Sequence, residues 1–174
     1  LTTYYQDFFY ETGLPPVATD ITINGNGSTI ERDDGSFYLF RLMGVNDFGI
    51  LTLNDLTLRD GLIDENGGAA LVVVDGVANL NNVLVLNNRN ITAFSTNIGG
   101  ALFNYFGTLN VTDSFIIGNT TTSGGGAIFN WGGDVNVSDT HFSANAAPIG
   151  AAIYHRYQGG SFTIDNSSFE YNRI

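Results

Sequence analysis

"GGALFNYFGTLNVTDSFIIGN" runs from Gly99 to Asn119, and "GGAIFNWGGDVNVSDTHFSAN" runs from Gly125 to Asn145. The second is a near-copy of the first, with glycines, apolar residues and the closing Asn in matching places. Such a match is expected when a chain winds through the same local structure twice. Residues at one position of successive turns then stack on each other and are held to the same size and polarity.

The repeat extends outward from this pair. Its apolar–polar–apolar unit, "LNV" at Leu109 and "VNV" at Val135, recurs as "ITI" at Ile21, "LTL" at Leu51, "ANL" at Ala78 and "FTI" at Phe162. Successive starts lie 30, 27, 31, 26 and 27 residues apart. One column of the alignment is therefore Ile21, Leu51, Ala78, Leu109, Val135 and Phe162, and a second is Ile23, Leu53, Leu80, Val111, Val137 and Ile164. Between them lie Thr22, Thr52, Asn79, Asn110, Asn136 and Thr163. Strand alternation puts the two apolar columns inside and the Thr/Asn column outside.

Turn formers follow each unit: Asn54-Asp55, Asn81-Asn82, Thr112-Asp113, Ser138-Asp139 and Asp165-Asn166. Their short polar side chains bond to nearby backbone and permit a sharp corner. A second short strand then carries Leu58, Val85, Ile116, Phe142 and Phe169 inward. Three residues further comes Gly61, Asn88, Asn119, Asn145 or Asn172, a column whose Gly/Asn composition reads as another left-handed corner. A third segment opens on small residues, as in Gly67-Gly68-Ala69 and Gly150-Ala151-Ala152, which lets backbones approach closely. The spacing in "NGNGSTI" (Asn24 to Ile30) differs from the other repeats and predicts a bulged first coil.

No stretch sustains the i, i+3, i+4, i+7 apolar pattern of a helix, and Gly and Asn interrupt every candidate. A hairpin sandwich would not need the same columns in every repeat. The pattern predicts an all-β parallel β-helix, a single domain over residues 1–174 with about six coils of 26–31 residues, its repeats filling 17–174. Leu1 to Pro16 is aromatic-dense and punctuated by Pro15-Pro16. It is expected to be either a cap on its own coil or a segment that docks on the open end of another subunit, which would build a head-to-tail fibre.

"GGAL" (Gly99 to Leu102) and "GGAI" (Gly125 to Ile128), with "FSAN" (Phe142 to Asn145) and "FEYN" (Phe169 to Asn172), resemble the GGA[I/L]…FxxN repeats of polymorphic outer-membrane-protein passengers. "LPPVATDITINGNGSTIERDDG" and the following "LTLNDLTLRDG" resemble the opening coils of secreted bacterial right-handed β-helix proteins. The resemblance implies right-handed winding and an extracellular or cell-surface setting. It implies an adhesin, a stalk or a fibre component rather than any one activity. The repeat at Gly150 departs from it, reading "GAAIY", and the one at Gly67 is followed by "LVLNN" (Leu84 to Asn88) in place of FxxN.

Composition narrows the partners. The 174 residues carry a net charge of −11, with six basic residues, all of them Arg. Nucleic acid and anionic membrane surfaces are therefore not expected as partners. Cysteine is absent, which excludes disulfides and thiolate metal sites. No apolar run approaches the roughly 20 residues of a spanning helix, so no transmembrane segment is expected.

Candidate chemistry is sparse. Asp113 and Asp139 share a column in successive coils, close enough for paired-carboxylate glycoside hydrolysis, but the same column holds Asp55, Asn82 and Asn166 and so reads first as corner chemistry. His141 and His155 are the only histidines and lack companions for a metal site. Neither a catalytic set, a metal site nor a cofactor is assigned. Tyr105 and Trp131 occupy one column, and the matching Arg156 has Tyr157 beside it. Tyr105, Trp131 and Tyr157 are the candidate ligand-binding residues, since stacked rings on one solenoid face suit a sugar. The expected function is a structural or adhesive extracellular solenoid that touches a surface glycan or host surface and assembles end to end. The alternative is a polysaccharide-binding or polysaccharide-degrading β-helix protein.

Overall fold

The computed structural model describes residues 1–6, 11–46, 48–64, 67–92, 99–157 and 159–174. They form a parallel β-helix with no helical element among them. The long sheet contains Asp20–Glu31, Ile50–Arg59 and Val77–Leu86. After Leu86 each rung divides at its corner into two strands, Thr108–Thr112 with Phe115–Ile117, Asp134–Ser138 with His141–Ser143, and Phe162–Asp165 with Ser168–Glu170. A second sheet stacks Met43–Val45, Leu71–Val74, Leu102–Tyr105, Ile128–Trp131 and Ile153–Arg156. A narrow third sheet holds Leu62–Ile63, Arg89–Asn90 and Thr120–Thr121.

The predicted columns are ladders. Leu53 pairs with Leu80, Leu80 with Val111 and Val111 with Val137, all in parallel register and all buried. Leu51, Ala78, Leu109 and Val135 do the same beside them. On the outside Asn79 donates to Thr52 at 3.2 Å, Asn110 to Asn79 at 2.8 Å, Asn136 to Asn110 at 2.9 Å and Thr163 to Asn136 at 2.8 Å. Each coil thus continues both the apolar core and a polar hydrogen-bond line along one axis.

Two expectations change. The described residues make about five turns rather than about six, because the six rungs that begin at Ile21 and end at Phe162 enclose five windings between them. The Gly61/Asn88/Asn119/Asn145/Asn172 column is not the left-handed corner. Positive φ falls one residue earlier, at Asp60, Asn87, Gly118, Ala144 and Tyr171. That residue turns the chain and sends the next side chain inward, where Asn88, Asn119 and Asn145 are fully buried. The other corner is where the sequence places it. Asp55, Asn82, Asp113, Asp139 and Asn166 all have φ between 43° and 53°.

The bulged first rung is also present, since register shifts between Asn24 and Ser28, opposite Asn54 and Leu56. At the amino-terminal end, Thr12 bridges Arg41 and Val17 bridges Val45 in parallel. Gly13 and Leu14 donate to the carbonyls of Arg41 and Leu42 at 2.7 and 3.1 Å. Residues 12–16 therefore run beside the second sheet, while Leu1 bonds to Glu31 and Asp33 and Tyr4 sets its ring 6.1 Å from buried Phe40.

Candidate functional site

Tyr105, Trp131 and Tyr157 come together on the outer face of the second sheet. Tyr105 is in register with Trp131, and Trp131 with Arg156. Tyr157 turns back at positive φ and stacks on Trp131, with centroids 5.9 Å apart and planes 16° apart. Tyr105 lies 6.5 Å from Trp131 at 30°. Phe106 joins at 4.7 Å from Tyr105 and 5.7 Å from Tyr157. The Arg156 guanidinium sits 5.2 Å from the Trp131 ring, a cation–π contact.

This group continues into a second apolar cluster that the sequence alignment left unread. Val72, Phe103 and Phe129 are buried on the outer side of the sheet, with Val74, Trp131 and Tyr154 packed against them. Phe103, Phe129 and Tyr154 are one register column, and their rings meet edge to face at 5.4 and 5.3 Å. The signal was available: the same aromatic position follows Leu102, Ile128 and Ile153 in three coils. The consequence for the site is physical. Trp131 is engaged by neighbours on this ladder, so the rings it offers to solvent are chiefly Tyr157, Phe106 and Tyr105, which are 57, 42 and 38% exposed.

The loop that carries Tyr157 is tied down at its far end. Ser161 donates to Asp134 Oδ1 through its backbone N–H at 2.7 Å and its hydroxyl at 2.8 Å. These two bonds, the hydroxyl one first, hold the Asp134 carboxyl below its ordinary 3.8. The sign follows: an Asp with a lowered folded pKa contributes stability above its unfolded value and loses it as pH falls through the folded one. Acid below the usual Asp range is therefore expected to loosen the Tyr157 loop before the core. Amide exchange at Ser161 measured down the pH series would show it, and in Asp134→Asn the pH-dependent step at Ser161 should be absent.

The other candidates have local partners. Asn82 donates to Asp55 at 2.7 Å and Asn166 donates to Asp139, so the Asx column bonds to itself along the corner. Asp113 and Asp139 belong to that column. His141 shares a 2.7 Å bond with Ser168. His155 ends a line in which Asn104 donates to Asn130 at 2.9 Å and the Asn130 amide meets His155 Nδ1 at 2.9 Å. Below Asn104 the register position is Val73, which cannot donate, and Asn104 Oδ1 is buried without a partner among the described residues. Among the described residues no three His, Cys, Asp or Glu side chains are grouped to hold a metal. Among the same residues no helix is long and apolar enough to cross a membrane.

Residues 113–130 match the family model described as the Chlamydia polymorphic membrane protein repeat. The matched stretch covers the corner at Asp113, the strand Phe115–Ile117, buried Asn119 and the second-sheet strand up to Asn130. No curated protein and no solved structure matches the chain.

Proposed function

We propose that the chain is a surface-displayed solenoid of the outer-membrane-associated passenger type, with a structural or adhesive role. The observation that supports it most is the repeat match at residues 113–130, which falls on a segment that builds a coil of the observed solenoid. A solenoid suits display because ladders along one axis make length without widening the core, and its surface repeats at each turn. The adhesive role draws on the exposed rings of Tyr157, Phe106 and Tyr105, which give an acidic molecule an aromatic contact face.

Immunogold labelling of the producing cells with antibody raised against the purified chain tests display. Intact and permeabilised cells should label to the same extent. Labelling confined to permeabilised cells would remove the proposal.

A further inference from the structure

The long sheet has a second unusual outer surface, away from the aromatic ladder. Its outward positions beyond the Asx corner form two columns: Thr57, Leu84, Phe115, His141 and Ser168, then Arg59, Leu86, Ile117, Ser143 and Glu170. Only the third and fourth rungs fill both columns with apolar side chains. Leu84 pairs with Phe115 and Leu86 with Ile117, so the four form one platform, from which Phe115 stands 49% exposed.

The bulge of the first rung supplies a wall beside it. Gly25, Asn26 and Gly27 lie between Asn24 and Ser28, where the facing rung has Asp55 alone, so the bulge adds two residues opposite that corner. Wall, corner and platform enclose an open groove of about 400 Å³ lined by Gly27, Asp55, Asn82, Leu84 and Phe115 among others. That volume is within the range of small-ligand sites. Asp55 accepts one bond from Asn82 and, being exposed, has further acceptor capacity at its carboxylate.

We infer that this groove binds a neutral sugar ring of a glycan. A sugar ring has an apolar C–H face and an edge of hydroxyls. The groove offers the complement: a phenyl ring and a leucine one strand spacing, about 4.8 Å, apart, beside a carboxylate and an amide that bond to hydroxyls. Asp55 and the net charge of −11 disfavour acidic sugars. A protein partner fits less well, since a stable protein interface needs about 800 Å² and about 20–30 residues a side, and this platform is four side chains. The inference goes beyond surface display, and its failure would leave the labelling result unaffected.

The test is a ¹⁵N-resolved titration of the whole chain with cellotriose, maltotriose and mannotriose, with trigalacturonate as the acidic control. At least one neutral trisaccharide should give saturable shifts at Gly27, Asn82 and Leu84, and the acidic one none. Phe115→Ala should raise that Kd by about tenfold or more. Asp55→Asn keeps an acceptor for Asn82 and tolerates the left-handed corner, and should weaken binding several-fold. Both side chains are exposed, so both variants should melt with the parent. The inference is overturned by an absence of shifts with every neutral trisaccharide, by shifts that survive Phe115→Ala, or by shifts centred on Trp131. Groove shifts produced by raising protein concentration alone would also overturn it, since a second copy would then be the occupant.

Discussion

Asn119→Leu is expected to remove a large share of the solenoid's stability. Asn119 is fully buried between Asn88 and Asn145. Its Oδ1 accepts from the Asn88 backbone N–H at 2.9 Å and from Asn88 Nδ2 at 3.1 Å. Its own Nδ2 donates to the Val85 carbonyl and to Asn145 Oδ1, both at 3.0 Å. Leucine is close in size but can make none of these bonds. The Asn88 N–H and the Val85 carbonyl would be stranded in the core, each at a cost of about 1–3 kcal/mol. Together they remove about 2–6 kcal/mol, against a total stability that is typically about 5–15 kcal/mol. Urea unfolding followed by far-UV circular dichroism should show a large fall in midpoint. Asn110→Thr is the control: Asn110 belongs to the outer line, where Thr52 and Thr163 already serve, and its midpoint should hardly move. Equal midpoints for both variants would show that the buried ladder contributes no more than the exposed one.

Gly100→Ala should be at least as severe, by a different route. A Cβ on Gly100 would lie 2.0 Å from the carbonyl oxygen of Gly126 and 2.8 Å from its carbon, both backbone atoms. No rotamer change relieves a backbone clash. Gly100 is also held from both sides, donating to Gly125 O at 2.9 Å and accepting from the Ala69 N–H at 2.8 Å. The methyl group must therefore push adjacent coils apart and break ladder bonds in the middle of the stack. A loss of about 4 kcal/mol would lower Tm by roughly 8–16 °C in a chain of this size. Gly35→Ala, where the new Cβ would meet only Asp33 Oδ1 at 3.4 Å, should melt like the parent. If Gly100→Ala melted with it, the coils would not be spaced as the backbone places them.

These variants bear on different aspects of what could be read in advance. Equivalence between turns was readable, since Leu53, Leu80, Val111 and Val137 align by spacing alone and are register partners. The close approach at the small-residue segment was readable too, as the Gly100 contact shows. The role of Asn119 was not. Asn is common both at left-handed corners and in buried ladders, and the choice depends on the φ of the residue before it. That residue is Asn87, Gly118, Ala144 or Tyr171 in different coils, a column with no chemical signature. The outer cluster of Val72, Phe103 and Phe129 escaped for a related reason. Alternation says that Phe103 points away from Leu102, but it does not say what lies outside the sheet. The candidate ring residues group by column as the spacing implies, while Tyr157 folds back onto Trp131 at a corner of positive φ that recurs at Asp75, Phe106 and Gly132, a column whose mixed composition carries no signature.

The amino-acid sequence by itself determined which residues stack on which, because strands one turn apart pair side by side and each column must keep one character to remain a ladder. It thereby determined an all-β, parallel, single-axis molecule. Only the tertiary structure decided which way the corner residues face, how many full windings the rungs enclose, and which outer surfaces gather aromatic rings or a groove. Those depend on single backbone angles and on what packs against the sheets from outside, and the alternation of apolar and polar residues along a strand records neither.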